Sequence, residues 1–282
     1  MPIGDWSMNE RMIAVLANEQ SRSILEGSTV GQLRQEIKPD ADVLVVNGFP
    51  SSPDTPLKEG DEVVFIRRGE IPKAEELEGL MASRHTPGVH ARLKKATVGI
   101  AGLGGLGSAV TIALARVGIG TLILVDFDLV EPSNLNRQHY AVRHIGLAKA
   151  DAMGRILEEI NPYLNVLTHK VTLDRYNIPR LFQNANIVVE CFDRPEAKVM
   201  IMQTVADALP KVYLIGASGM AGYGDSNSIR TMKVGERIFM VGDFVTAAEP
   251  GRGLMAPRVG IAAHHQANLV VSLLMAPEHV KL

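Results

Sequence analysis

Between residues 97 and 149 the chain carries a pattern that few folds accommodate. An apolar run at 98–101 leads into Gly102-Leu103-Gly104-Gly105-Leu106-Gly107, then into a helix-like segment at 108–117. A second apolar run ends on an acid pair, Asp126 and Asp128. Strand, tight glycine turn and helix set backbone N–H groups and the positive end of a helix dipole against a phosphate. Gly104 and Gly105 let phosphate oxygens approach the main chain, where a Cβ would clash. Gly107 lets the helix pack close to the strand. Asp126 stands where a carboxylate accepts from ribose hydroxyls. The segment predicts the nucleotide-binding half of a doubly wound α/β sheet; the alternative is a tight turn with no ligand.

Which nucleotide is decided downstream, by the string Ser133-Asn134-Leu135-Asn136-Arg137-Gln138 and a lone Lys149. Arginine grips a phosphate with two parallel bonds, and lysine acts as a mobile point charge. Asn134 and Asn136 add neutral donors. Adenylation of a carboxylate needs such a set, because the acid and the triphosphate are both anionic. Asp193 follows an apolar strand at 187–191, at the C-terminal edge of the sheet, where a carboxylate is placed to hold Mg²⁺. Each residue alone reads as a solvated loop charge. Together, after a glycine loop, they point to chemistry on ATP.

These strings resemble the ThiF/MoeB family, bacterial relatives of ubiquitin-activating enzymes, over residues 84–274. The matching pieces are 102–108, Asp126-Phe127-Asp128, 133–138, Lys149, Asn161-Pro162 and Asp193. The resemblance implies an ATP- and Mg²⁺-dependent adenylyltransferase. Its substrate would be the C-terminal Gly-Gly carboxylate of a separate ThiS-like sulfur carrier, for thiamine or related sulfur-transfer biosynthesis. It implies that Gly102, Gly104, Gly105, Gly107, Asp126 and Asp128 bind the nucleotide, with Asp126 on the ribose. Asn134, Arg137 and Lys149 would face the phosphates, and Asp193 the magnesium. It implies a homodimer in which one arginine crosses to the other subunit: Arg84 first, Arg92 second. The departures are specific. A single cysteine, Cys191, leaves no Cys-x-x-Cys pairs for zinc and no crossover cysteine after residue 216. Cys191 itself reads as a small core residue. The family's Asp-Asn-x-x-x-Arg stands here as Asp193-Arg194 followed by Lys198. Segments 216–224 and 253–260, with Asn227, point to a zinc-free subgroup.

The first seventy residues read as a unit of their own. Strand 12–16, helix 29–37 capped by Thr29, strand 43–46, an Asn47-Gly48 turn and strand 62–67 resemble the ThiS-like β-grasp carriers. Active carriers end in a free Gly-Gly. Here the last strand runs on through Arg67-Arg68-Gly69-Glu70. The expectation is a docking or regulatory module, or a spacer, rather than a reactive carrier. The predicted organisation is a β-grasp domain at 1–70, a linker at 71–90 and an adenylating domain at 91–282.

The rest of the chain predicts helices at 149–160, 195–209 and 259–275, strands at 166–171 and 212–217, and antiparallel strands at 229–234 and 237–241. His264 and His265 diverge by about 100° on a helix, which favours packing over a shared metal; His139 lies beside the phosphate-facing string. A net charge of −2 argues against nucleic acid as a partner. No apolar run reaches the roughly 18 residues that span a bilayer, and no basic-then-apolar leader opens the chain. One cysteine fits the reducing cytoplasm. Three other functions are open: an NAD oxidoreductase, a non-catalytic carrier-binding scaffold, and dehydration of a tRNA-bound adenosine modification, against which the acidic balance counts.

Overall fold

The computed structural model describes residues 11–276, apart from 19, 71–73, 84, 86 and 87. Contacts divide the chain into two compact units, Met1–His90 and Ala91–Leu282. No helix among the described residues is long and apolar enough to cross a membrane.

In the first unit, β1 (Met12–Ala17) and β2 (Gln20–Leu25) form a hairpin. Helix α1 (Val30–Ile37) then crosses to β3 (Val43–Val46), β4 (Phe49–Pro50) and β5 (Glu62–Ile66). The sheet order is β2-β1-β5-β3-β4, with β1 and β5 parallel. Alternation along β1 buries Ile13, Val15 and Ala17 against Val30 and Leu33 of α1, with Val63 and Phe65 of β5. Thr29 closes a capping box: its hydroxyl accepts from the Gln32 N–H at 3.3 Å, and its own N–H donates to Gln32 Oε1 at 2.8 Å. Strand β2 went unread in the sequence because only Ile24 in it is buried. The end of β5 does not hang free. The Arg68 N–H donates to Asp42 Oδ1 at 3.0 Å, Gly69 turns the chain at φ +76°, and Glu70 pairs with Lys38 at 2.6 Å. Helix α2 (Ala74–Ala82) follows.

The second unit is a seven-stranded sheet in the order β11-β12-β10-β9-β6-β7-β8. After α3 (Val89–Leu93), β6 (Thr97–Ala101), α4 (Gly105–Arg116) and β7 (Thr121–Val125) build the first crossover. Helix α5 (Lys149–Ile160) leads to β8 (Asn165–His169), and α6 (Ile178–Phe182) to β9 (Ile187–Glu190). Helix α7 (Pro195–Ala208) and β10 (Tyr213–Ala217) come next, then β11 (Arg230–Lys233), β12 (Ile238–Gly242) and α8 (Ala256–Met275). Only β11 is antiparallel; β12 runs parallel to β10. Ile123, Val125, Val188 and Leu214 pack on Ile178, Phe182, Ile201 and Val205 of α6 and α7. The alternate residues Val98, Ile100, Leu122, Leu124, Ile187 and Val189 are just as buried, as strands covered on both faces require. Helices α4 and α8 pack together and contact β6 and β10–β12. The doubly wound α/β class and the β-grasp class both hold.

Candidate nucleotide site

Six strands run parallel, so the loops after β6, β7, β9, β10 and β12 open on one edge of the sheet. The strand order reverses between β6 and β9, which is where open α/β sheets bind ligands. The glycine loop sits at that point. Gly102 adopts φ +93°, a left-handed turn that glycine tolerates best. A Cβ on Gly107 would land on the Gly102 carbonyl, so only glycine lets α4 start this close to β6. Gly104 differs: a Cβ there would meet nothing nearer than Gln138 Nε2 at 3.9 Å. Packing inside the protein does not by itself demand that glycine. A Cβ on Gly105 would come 3.1 Å from Val259 Cγ1 of α8.

Asp126 is buried and tied to the loop. Its Oδ2 accepts from the Leu103 N–H at 2.6 Å and its Oδ1 from the Asp128 N–H at 2.8 Å. Burial pushes this carboxyl upward, against the pull of both N–H groups and of Lys149. Lys149 opens α5 and is 6% exposed. Its ammonium pairs with Asp128 Oδ2 at 2.8 Å, so the two predicted site residues hold each other in the structure.

The 133–138 string is folded by its own side chains. Asn134 Oδ1 accepts from the Glu131 N–H at 3.1 Å, and the Asn134 carbonyl accepts from the N–H groups of Arg137 and Gln138 at 3.1 and 2.9 Å. Asn134 thus shapes the turn that carries Arg137. Arg137 lies against the start of α4: its Cγ is 3.7 Å from the Cβ position of Gly105. Its Nη1 donates to the Ser133 carbonyl and to Asn136 Oδ1 at 3.1 and 2.9 Å. Two further bonds tie the residues just after this string to the glycine loop and to the first turn of α4. The Tyr140 hydroxyl donates to the Leu103 carbonyl at 2.9 Å, and the His139 N–H donates to Ser108 Oγ at 3.1 Å. Burial and the nearby Asp126 hold the Tyr140 hydroxyl well above its usual range, so it stays a donor. Burial and the nearby His264 lower the His139 imidazole. Gln138 Oε1 is buried with no partner among the described residues.

Asp193 lies just past β9 and is exposed, with no ion pair among the described residues. Its loop abuts Gly102, whose Cβ position is 3.1 Å from the Cys191 carbonyl and 3.3 Å from Phe192 Cδ1. Lys198, the departure from the family pattern, pairs with Glu190 at 2.8 Å and bonds the Ala217 carbonyl at 2.9 Å. Glu190 is fully buried, and burial pushes its carboxyl upward despite Lys198 and the N–H groups of Phe192 and Ala217. Cys191 is buried against Gln266, and burial raises its thiol, which removes it as a nucleophile. His264 and His265 bond different partners, the Gly260 carbonyl and Thr231 Oγ1. Among the described residues no group of three His, Cys, Asp or Glu is placed to hold a metal. Arg84 lies outside the described residues, and Arg92 bonds the Met275 carbonyl at 2.7 Å. Sequence reading quoted Gln138 only as part of the 133–138 string, with no role of its own, and passed over Tyr140, although both sit within three residues of Arg137.

The ThiF family profile matches residues 80–282, and the ThiS-like ubiquitin profile matches residues 13–69. The chain is 35% identical over 145 residues to the adenylyltransferase and sulfurtransferase UBA4 of Candida glabrata, covering 51% of this chain and 33% of that protein. Saccharomyces cerevisiae UBA4 is 29% identical over 199 residues, covering 68% of this chain and 42% of that protein. The chain therefore spans less than half the length of these curated relatives. Among solved structures, Escherichia coli tRNA N6-threonylcarbamoyladenosine dehydratase in complex with ATP superposes with a TM-score of 0.66 at 21% identity, over 74% of this chain and 98% of that one. That likeness is one of fold. Escherichia coli MccB gives a TM-score of 0.52 at 25% identity, over 66% of this chain and 58% of that one.

Proposed function

The chain belongs to the ThiF family and carries a ThiS-like ubiquitin domain, and we propose that it is an ATP-dependent adenylyltransferase acting on a separate small sulfur carrier that ends in Gly-Gly. The observation that carries this is a convergence at one sheet edge. A glycine loop, uncrowded at Gly104, is flanked by the buried Asp126, by Arg137 and by the Lys149–Asp128 pair. In the reaction, a carboxylate oxygen of the carrier attacks the α-phosphorus of ATP. The bond from that phosphorus to the bridging oxygen breaks, and pyrophosphate leaves with the electron pair. Arg137 and Lys149 act on the charge that moves onto pyrophosphate. Asp126 is the ribose partner; each of its oxygens has a lone pair beyond the N–H bond it already accepts.

Magnesium fits the donor set in one way. Mg²⁺ binds through one or two carboxylates plus substrate phosphates rather than in an all-protein cage. Asp193, exposed at the correct edge, is the carboxylate that would hold it, and the ion would neutralise phosphate charge. An NAD oxidoreductase would leave Arg137 and Asp193 without a task. The names of the curated relatives support sulfur transfer as the class of destination; thiamine is one member of it. The cytoplasm suits a chain whose one thiol is buried.

The ThiS-like domain is read as a fixed recognition module. Its last strand is latched by Glu70–Lys38 and by Asp42, and continues into α2, so it offers no terminal carboxylate. The test is exchange of labelled pyrophosphate into ATP. Exchange should require an added ThiS-like carrier ending in Gly-Gly, and equally fast exchange without one would overturn the acceptor assignment. AMP or a thiocarboxylate on a fragment ending at Gly69 would overturn the reading of the domain.

The active form is proposed to be a homodimer in which Arg84 of one chain completes the site of the other. Arg84→Ala and Lys149→Ala chains, each inactive alone, should regain part of the activity when mixed, since one hybrid site then holds both groups. Failure of every mixture after proven subunit exchange removes the crossing arginine.

A further inference from the structure

On the far side of the switch point two loops leave the same sheet edge, 218–228 after β10 and 243–255 after β12. One side chain ties them together. Arg258, in the first turn of α8, is 4% exposed. Its Nη1 donates to the carbonyls of Gly224 and Asp225 at 3.0 and 2.8 Å. Its Nη2 donates to Ser228 Oγ at 2.9 Å and to Asp243 Oδ2 at 2.7 Å. Asp243 in turn accepts from the N–H groups of Val245 and Thr246 at 2.9 and 2.8 Å, and from the Thr246 hydroxyl at 2.6 Å. Burial by itself would raise the Asp243 carboxyl. The Thr246 and Val245 donors and Arg258 outweigh it, so the group is held well below the usual carboxylate range and stays an anion.

Packing alone does not require this arrangement. A buried ion pair is seldom more stabilising than apolar residues of the same volume. Helix α8 already buries Val259, Ala262, Ala263, Leu269 and Val270. What the pair adds is a defined backbone. Phe244, between the two anchor points of the second loop, is held at φ +63°, a conformation that costs a non-glycine residue roughly 1–3 kcal/mol. The side chains next to the clamped atoms, Tyr223 and Val245, are 88% and 84% exposed, so the clamp orders segments that their own burial does not. The residue after Arg258, Val259, rests against Gly105 of the phosphate loop. The first turn of α8 therefore joins three segments of one edge.

Resting on the adenylation reading above, we propose that Arg258 is a positioning residue for the acceptor: it sets the 224–228 and 243–246 turns as the wall along which the carrier's Gly-Gly tail reaches the α-phosphate. The nucleotide half of the edge, after β6 and β7, is taken by the glycine loop, Asp126 and Arg137. The attacking carboxylate must enter opposite the leaving pyrophosphate, within about 3.5 Å of phosphorus and in line. Past the β9 loop, which carries Asp193, the other half of this edge is formed by the loops after β10 and β12, and both hang on Arg258.

Three variants test this. Arg258→Met removes the clamp. Arg258→Lys keeps the charge and loses the planar fork that reaches four acceptors. Ser228→Ala removes the bond from Arg258 and the hydroxyl's own 2.7 Å bond to the Asp225 carbonyl, and leaves the pair intact. The readouts are amide hydrogen exchange of the ligand-free protein, the Kd for ATP, and the kinetics of pyrophosphate exchange with a ThiS-like carrier ending in Gly-Gly. In Arg258→Lys, amides at 222–228 and 243–246 should lose protection together while 102–107 keep theirs. The ATP Kd should stay within about twofold, and the KM for the carrier should rise roughly tenfold or more, the scale of a lost charge-assisted bond. Ser228→Ala should move the KM the same way by less. If Arg258→Met does not fold, the other two variants decide. Parallel losses in ATP Kd and carrier KM would show a merely structural role and overturn the proposal. An unchanged carrier KM with both loops deprotected would also overturn it, in a wild type that remains active. A wild type without carrier-dependent exchange overturns the adenylation reading, and this proposal with it.

Discussion

Arg137→Ala and Lys149→Ala are each expected to slow carrier-dependent pyrophosphate exchange by about 10²-fold, or roughly 3 kcal/mol, while leaving the protein folded. On the proposed reading, each removes a cation aimed at charge that grows on the leaving group. The structure explains why the fold should survive. Arg137 spends its bonds on the carbonyl and amide of its own turn, which Asn134 holds independently. Lys149 is buried, but its partner Asp128 is 47% exposed at the side chain, so water replaces the lost ammonium. Breaking a fully enclosed pair would cost more, typically 3–5 kcal/mol. On the proposed reading Lys149 would leave Asp128 for the phosphates when ATP enters. Lys149→Met, which keeps the aliphatic stem, should match the alanine variant in rate. The measurements are exchange kinetics beside thermal unfolding, and losses below threefold in both alanine variants would sink the role.

Two glycines of the same loop should respond to alanine in opposite ways. Gly107→Ala places a methyl on the Gly102 carbonyl, a backbone atom that cannot swing aside. The start of α4 must then move off β6. Overpacking of this kind costs about 1–3 kcal/mol and occasionally more, and ATP binding should be lost with the loop geometry. Gly104→Ala meets a single ordinary contact in the protein, Gln138 Nε2 at 3.9 Å. Its thermal midpoint should hold, and only the ATP affinity should fall, because the methyl occupies the space a phosphate oxygen needs. Isothermal titration with ATP and a melting curve on both variants separate the cases. A stable Gly107→Ala that binds ATP normally, or a Gly104→Ala that binds ATP as well as the wild type, would remove the phosphate from this loop.

The helix at Lys149–Ile160 was legible because its apolar residues recur at helical spacing and Ala150, Met153 and Leu157 are buried. The Thr29 cap was legible because capping is local: the hydroxyl and the N–H it serves lie three residues apart. The glycine loop was legible for the same reason, since its demands are steric and fall within six residues. Strand β2 was not, because a polar edge strand carries little alternation. Helix α6, five residues long, is too short for a period to show. The antiparallel pairing of β11 with β12 was read, but not that β12 also runs parallel to β10. Its hydrophobic pattern is the same whether it pairs parallel with β10 or antiparallel with β11, and it does both.

The site divides along the same line. Asp126 was readable as the acid after the second strand, and Arg137 as the cation in an unusual string. That Asn134 builds the turn under Arg137, and that Lys149 rests on Asp128, required coordinates. Lys198 looked like a departure from a motif until Glu190, eight residues earlier, proved to be its partner. Arg258 and Asp243 stand fifteen residues apart in a loop and a helix, and nothing in their neighbours marks them. The sequence by itself determined most of the elements, the class of fold and the glycine loop, because propensity, periodicity and steric demand act over a few bonds. The tertiary structure alone decided which charges are paired, which glycines face open space and which loops are tied together. Those depend on distances between segments far apart in the chain, and the energy of a charge depends on what surrounds it once water has been removed.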